Sequence, residues 1–99
     1  MTGCENEVIL IKCAQGQVIN IQKANYGRTN TNICRFPSFN TNKCLSDKTV
    51  LLQNKCNSLN TCELTVSKNT FGDPCPAYSK YLEVQYSCNG IIQGYYIYF

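Results

Sequence analysis

The chain contains no histidine and no tryptophan. Without imidazole it cannot build a Ser-His-Asp or Cys-His nucleophile, a Cys₂His₂ zinc finger, or a histidine pH switch. Charge is scarce as well. Only 15% of residues are charged, and nine Lys and Arg against six Asp and Glu leave a net +3. That excess is scattered along the chain, whereas a nucleic-acid binder concentrates it in a basic stripe. No stretch approaches the roughly 20 apolar residues of a membrane span. No basic and then apolar leader precedes Cys4, so the chain reads as a mature domain. Asn-x-Ser/Thr acceptors and Asp-x-Asp/Asn-x-Asp-Gly calcium loops are absent too.

What the chain does hold is cysteine, eight in 99 residues: Cys4, Cys13, Cys34, Cys44, Cys56, Cys62, Cys75 and Cys88. No two form C-x-x-C, which removes zinc ribbons and thioredoxin-like redox motifs. An even count spread over the whole length predicts four disulfides formed in an oxidising compartment, secreted or on the extracellular face of a cell. A chain of this size is one small domain, and cross-links restrict its unfolded ensemble where core burial is marginal. Spacing leaves all of the roughly 105 possible connectivities open.

A run dominated by aliphatics places a strand at Glu7 to Cys13 and alternation places one at Gln17 to Lys23, with the turn Ala14-Gln15-Gly16 short enough for a hairpin. Asn25-Tyr26-Gly27 ends the second strand, Gly27 being free to take positive φ. Thr29 to Asn42 is polar, rich in asparagine and broken by Pro37, a long loop pinned by Cys34 and Cys44. Ser46 or Asp47 caps a short helix over 48–55, whose last turn is basic. Cys62 to Val66 and Tyr81 to Cys88 alternate again, the second with Leu82, Val84, Tyr86 and Cys88 on one face. The result is an α+β domain, mainly antiparallel β, a compact sandwich-like sheet with one or two short helices, long loops and four disulfides. The tail from Ile91 to Phe99 carries no charge and is β-prone. It is one more strand or the start of a neighbouring domain, or else an edge that pairs with a second copy as a homodimer.

Catalysis would have to come from paired carboxylates among Glu5, Glu7, Asp47, Glu63, Asp73 and Glu83. A glycosidase needs two of them about 5–10 Å apart, one with a raised pKa. Carboxylates that hold sugar hydroxyls and carboxylates that cleave glycosides look alike at this level.

Three short stretches carry more. Ala24-Asn25-Tyr26-Gly27-Arg28, Phe71-Gly72-Asp73-Pro74-Cys75, and Lys80-Tyr81-Leu82-Glu83-Val84 with Tyr86-Ser87-Cys88 stand in this order among the cysteines. Together they resemble the sea-urchin-egg-lectin family, which includes rhamnose- and galactose-binding lectins and the lectin module of the latrophilin adhesion receptors. The resemblance runs from about Cys4 to Cys88. It makes 1–88 the lectin domain and 89–99 a tail or extra strand. It implies the pairs Cys4–Cys34, Cys13–Cys88, Cys44–Cys75 and Cys56–Cys62. In the chain-entropy model the loop closed by Cys13–Cys88 alone is worth roughly 4–5 kcal/mol.

The family also implies a shallow sugar pocket, calcium-independent and without catalysis or cofactor. Its contacts fall on Glu5, Tyr26, Asp73, the backbone amide of Ala77, and Lys80. The residue types suit a saccharide. Carboxylates accept from vicinal hydroxyls, an ammonium donates to hydroxyl oxygens, and a tyrosine ring covers the apolar face of the sugar. Each has a plainer alternative. Glu5 is an acidic neighbour of a cysteine, Tyr26 a packed turn aromatic, Asp73 a turn starter before Pro74, and Lys80 a surface lysine. Gly27 and Arg28 shape and brace the turn; Tyr81, Leu82 and Val84 are strand and core. Family members carry glycine and then threonine after Asp-Pro-Cys, where this chain has Ala77 and Tyr78, a change that bears on which sugar is preferred. The implied partner is a mono- or oligosaccharide of the rhamnose or galactose type. A protein partner, as in adhesion receptors, is the competing reading, and a disulfide-rich toxin or inhibitor the third.

Overall fold

A computed structural model describes residues 1–30, 32–34, 44–75, 80–92 and 95–98, with backbone alone at 91, 92 and 95–98. Most of the expected loop from Thr29 to Asn42 lies outside the described residues, as do Ala77 and Tyr78. The elements in chain order are β1 (Thr2–Cys4), β2 (Val8–Lys12), β3 (Gln17–Gly27), α1 (Thr49–Cys56), β4 (Thr61–Thr65), α2 (Lys68–Phe71), β5 (Tyr81–Ile92) and β6 (Tyr95–Tyr98). All strand pairing is antiparallel: β5 lies between β1 and β3 and pairs with β6 further along, while β2 and β4 form a second sheet. This is the α+β, mainly antiparallel architecture expected, with two short helices.

The core lies between the two sheets and is closed by α1. Ile11, Ile19, Ile21, Leu52, Leu64, Val66, Leu82 and Val84 are all buried in it. Burial along β3 does not follow one alternation. Ile19 and Ile21 face inward at odd positions, Ala24 and Tyr26 at even ones. The cause is an irregularity between Ile21 and Lys23, where the register against β5 slips by one residue at Gln22. A bulge of this kind inverts the faces beyond it. The backbone groups of Ile21 that the bulge frees are taken up from α1 and its C-cap. Asn57 Oδ1 accepts the Ile21 N–H at 2.8 Å, and Gln53 Nε2 donates to the Ile21 carbonyl at 3.1 Å.

The hairpin expected across Ala14-Gln15-Gly16 does not form, since β2 and β3 belong to different sheets. The segment Ser58–Asn60 comes between them. The Cys13 N–H donates to the Asn60 carbonyl and the Ile19 N–H to the Leu59 carbonyl, and Ile19 accepts from the Ser58 N–H. Helix α1 begins one residue later than expected, with Lys48 at the N-cap position. Asp47 still serves the first turn, because its Oδ1 accepts the Thr49 N–H at 2.9 Å. Those hydrogen bonds from Thr49 hold the Asp47 carboxyl below its ordinary value.

All four disulfides are as the family resemblance implies: Cys4–Cys34, Cys13–Cys88, Cys44–Cys75 and Cys56–Cys62. Gly27 needs a different explanation from the one expected. Its φ is not positive; Gly16 and Gly72 are the described glycines in that region. Glycine is required at 27 because a Cβ would collide with the Cys44 carbonyl, where Arg28 and Cys44 exchange backbone hydrogen bonds at 2.8 and 2.7 Å.

Candidate functional site

Register and cross-links bring the two ends of the chain to one place. Cys4 pairs with Tyr81 across β1 and β5, so the residues just beyond that pair, Glu5 and Lys80, leave the sheet side by side. The Cys44–Cys75 bridge ties the Asp73-Pro74-Cys75 turn to the segment paired with the end of β3. Arg28 braces the same end. Its buried guanidinium donates to the carbonyls of Asn30 at 3.0 Å, Ile33 at 2.8 Å and Cys34 at 2.7 Å. Cys34 is in turn bonded to Cys4, next to Glu5.

At the meeting point lies the ammonium of Lys80. Its Nζ is 2.9 Å from Asp73 Oδ1 and 3.4 Å from Glu5 Oε1, and it donates to the Cys75 carbonyl at 3.3 Å. The lysine side chain is only 4% exposed, against 26% for Glu5 and 34% for Asp73. The cation therefore forms the floor and the two carboxylates stand above it, partly open to water. Hydrogen bonding from Lys80, with a smaller contribution from Lys68, holds the Asp73 carboxyl below its ordinary value. Glu5, Asp73 and Lys80 line an open cleft of about 350 Å³, together with Asn6, Ser67, Lys68 and Asn69.

Tyr26 is placed differently from expectation. Its ring is fully buried and packs against Phe71 at 5.1 Å between centroids, so it offers no face to a ligand. The bulge in β3 is what turns it inward. Its link to the cleft is the hydroxyl, which donates to Glu5 Oε1 at 3.3 Å. Burial first, and then the negative charge of Glu5, push that phenol well above its ordinary value. Tyr26 thus stays a neutral donor that orients Glu5. Ala77 lies outside the described residues.

Tyr81 is likewise a core residue. Its hydroxyl accepts the N–H groups of Thr29 at 3.0 Å and Asn30 at 2.9 Å, and its ring lies under Arg28 at 5.2 Å. Sequence reasoning did not single out Asn6, Lys68 or Asn69, which complete the cleft. Asn6 was within reach, as the neighbour of Glu5. Nothing marked the Ser67-Lys68-Asn69 wall, because a single-turn helix has no periodicity to read.

The arrangement presents two carboxylate acceptors fixed by a buried cation, with polar side chains around them. Among the described residues no cluster of three or more His, Cys, Asp or Glu side chains is placed to hold a metal. No helix among them is long and apolar enough to cross a membrane.

Comparison with known proteins matches residues 11–88 to the D-galactoside/L-rhamnose binding SUEL lectin domain. The chain is 40% identical over 91 residues to the L-rhamnose-binding lectin SML of Scomberomorus niphonius, covering 89% of this chain and 45% of that protein. It is 39% identical over 89 residues to adhesion G protein-coupled receptor L1 of Mus musculus, covering 87% of this chain and 6% of the receptor. It is 36% identical over 89 residues to latrophilin Cirl of Drosophila persimilis, covering 87% of this chain and 5% of that protein. The chain thus spans a small fraction of the receptors it matches and under half of the fish lectin.

Proposed function

The chain belongs to the SUEL lectin domain family, which binds carbohydrate and is not catalytic, and we propose that it recognises an L-rhamnose- or D-galactose-like sugar at the Glu5–Asp73–Lys80 cleft. The observation that carries this reading is the convergence of both carboxylates on one buried ammonium. Vicinal hydroxyls of a pyranose donate to Glu5 and Asp73, and the Lys80 ammonium holds both carboxylates in place. Tyr26 positions Glu5 through its hydroxyl rather than covering the sugar with its ring. The backbone amide of Ala77 is proposed as a further donor. Recognition needs no calcium, since it rests on charge-assisted hydrogen bonds from protein groups. Four disulfides and the extracellular setting of such domains support a location outside the cell.

One sugar site binds weakly, so avidity requires linked copies or a dimer. The outer edge of β6, Tyr95–Tyr98, is uncharged and suits pairing with a second copy of the chain. Sedimentation of the protein with and without residues 89–99 checks this, and a dimer that survives the truncation rules that edge out. A protein partner is a second reading, favoured by the match to adhesion receptors at 36% and 39% identity.

The deciding experiment is a glycan array with wild type beside Glu5→Ala. Binding to rhamnose- or galactose-terminated glycans that is lost in the variant is the expected result. No binding at any density favours the protein partner, and binding that survives the substitution moves the site elsewhere.

A further inference from the structure

The three ion-paired groups do not account for the whole cleft. Glu5 and Asp73 gather around the Lys80 ammonium, within 3.4 Å of it. The other walls of the 350 Å³ space come from Asn6 on one side and from Ser67, Lys68 and Asn69 at the start of α2 on the other.

These walls are firmly built. Asn6 sits at φ 69°, a left-handed conformation that asparagine tolerates, and its N–H donates to the Val66 carbonyl at 2.7 Å. Ser67 caps α2 by accepting the Thr70 N–H at 3.3 Å, and the Gly72 N–H closes the turn on the Lys68 carbonyl at 2.7 Å. The side chains of Asn6, Lys68 and Asn69 are exposed, and among the described residues they make no hydrogen bond or ion pair. Lys68 lines the cleft together with Asp73 and helps hold its carboxyl down.

Every described residue lining the cleft is polar or charged. Among the described residues an occupant with apolar anchors finds nothing to bury against, while amides that both donate and accept match the hydroxyl pairs of a pyranose. We propose that this wall is a second sugar subsite. The domain takes an oligosaccharide whose terminal residue sits on Glu5, Asp73 and Lys80, and whose next residue lies against Asn6, Lys68 and Asn69. The proposal rests on the sugar-binding reading of the first three residues.

The test is calorimetric titration of the whole chain with methyl glycosides of L-rhamnose and D-galactose, and with a panel of disaccharides of varied linkage ending in those sugars. Wild type, Asn69→Ala and the double variant Asn6→Gly/Asn69→Ala are compared, with thermal unfolding confirming that each remains folded. One or two added hydrogen bonds predict a disaccharide about threefold to tenfold tighter than its monoglycoside. The increment should vanish in the double variant while monoglycoside affinity stays within about twofold. Equal affinity for monoglycosides and all disaccharides overturns the second subsite alone, as does an increment that survives the double variant. If neither class of ligand binds wild type, the sugar-binding reading itself fails, and the subsite with it.

Discussion

Lys80 Nζ lies 2.9 Å from Asp73 Oδ1, the ammonium buried and the carboxylate about one-third exposed. The pair joins the residue before β5 to the loop after α2, and it favours the ionised form of Asp73. A carboxyl held down by its partner has a native-state pKa below its unfolded value. Its contribution to stability is then complete above that unfolded value, near 3.8, and is lost as pH falls through the lower native one. The side-chain carboxyl carbon of Asp73, followed by NMR, should titrate below 3.8, and Lys80→Met should move the midpoint upward. A midpoint at or above 3.8 in wild type would show that the ion pair is not formed in solution.

Tyr26 separates two roles that one residue plays. Tyr26→Phe keeps the ring against Phe71 and removes only the hydroxyl that reaches Glu5. Thermal stability should change by no more than about 1 kcal/mol, while sugar affinity falls about twofold to tenfold. Tyr26→Ala empties a fully buried site and should cost about 3–5 kcal/mol in chemical denaturation. Unchanged affinity in Tyr26→Phe would remove the residue from the site.

Gly27→Ala tests the close approach of two chain segments. Because φ at 27 is not positive, any loss comes from the new methyl meeting the Cys44 carbonyl. Backbone cannot swing aside as a side chain can, so the urea midpoint should fall by the equivalent of about 1–3 kcal/mol or more. A neutral substitution would mean that the Arg28–Cys44 pairing is looser in solution than its 2.7 and 2.8 Å hydrogen bonds indicate.

Recognition by protein groups alone predicts indifference to chelators. Sugar affinity in excess EDTA should equal that in millimolar calcium, measured by the same titration. A loss restored by calcium would show that the carboxylates hold a cation rather than hydroxyls.

Much of this was legible in the sequence, for identifiable reasons. Eight cysteines and the absence of histidine set the class, and the family resemblance named the disulfide pairing and also Glu5, Asp73 and Lys80, which the fold brings together. The long alternation from Tyr81 gave β5, because a strand with one buried face writes period two into its residues. The orientation of Tyr26 was not legible. It depends on the bulge at Gln22, and a single extra residue leaves no compositional mark while inverting every side chain after it. The missing hairpin has a similar cause. Asn60 lies 43 residues beyond Gln17, yet its side chain donates to the Gln17 carbonyl at 2.9 Å and to that of Ala14 at 2.9 Å. Local turn chemistry says nothing about a partner so distant. Gly27 read as a conformational glycine because its neighbour in space, Cys44, is remote in sequence.

The central claim is that one buried ammonium holds two carboxylates ready for sugar hydroxyls. It is tested most directly by titrating methyl α-L-rhamnoside and methyl β-D-galactoside into ¹⁵N-labelled wild type and Lys80→Met, which keeps the buried stem and removes the charge. The account predicts saturable shifts in wild type centred on Glu5, Asp73 and Lys80, and affinity lowered at least about tenfold in a folded Lys80→Met. Equal affinity in the two proteins, or shifts centred away from those residues, would contradict it.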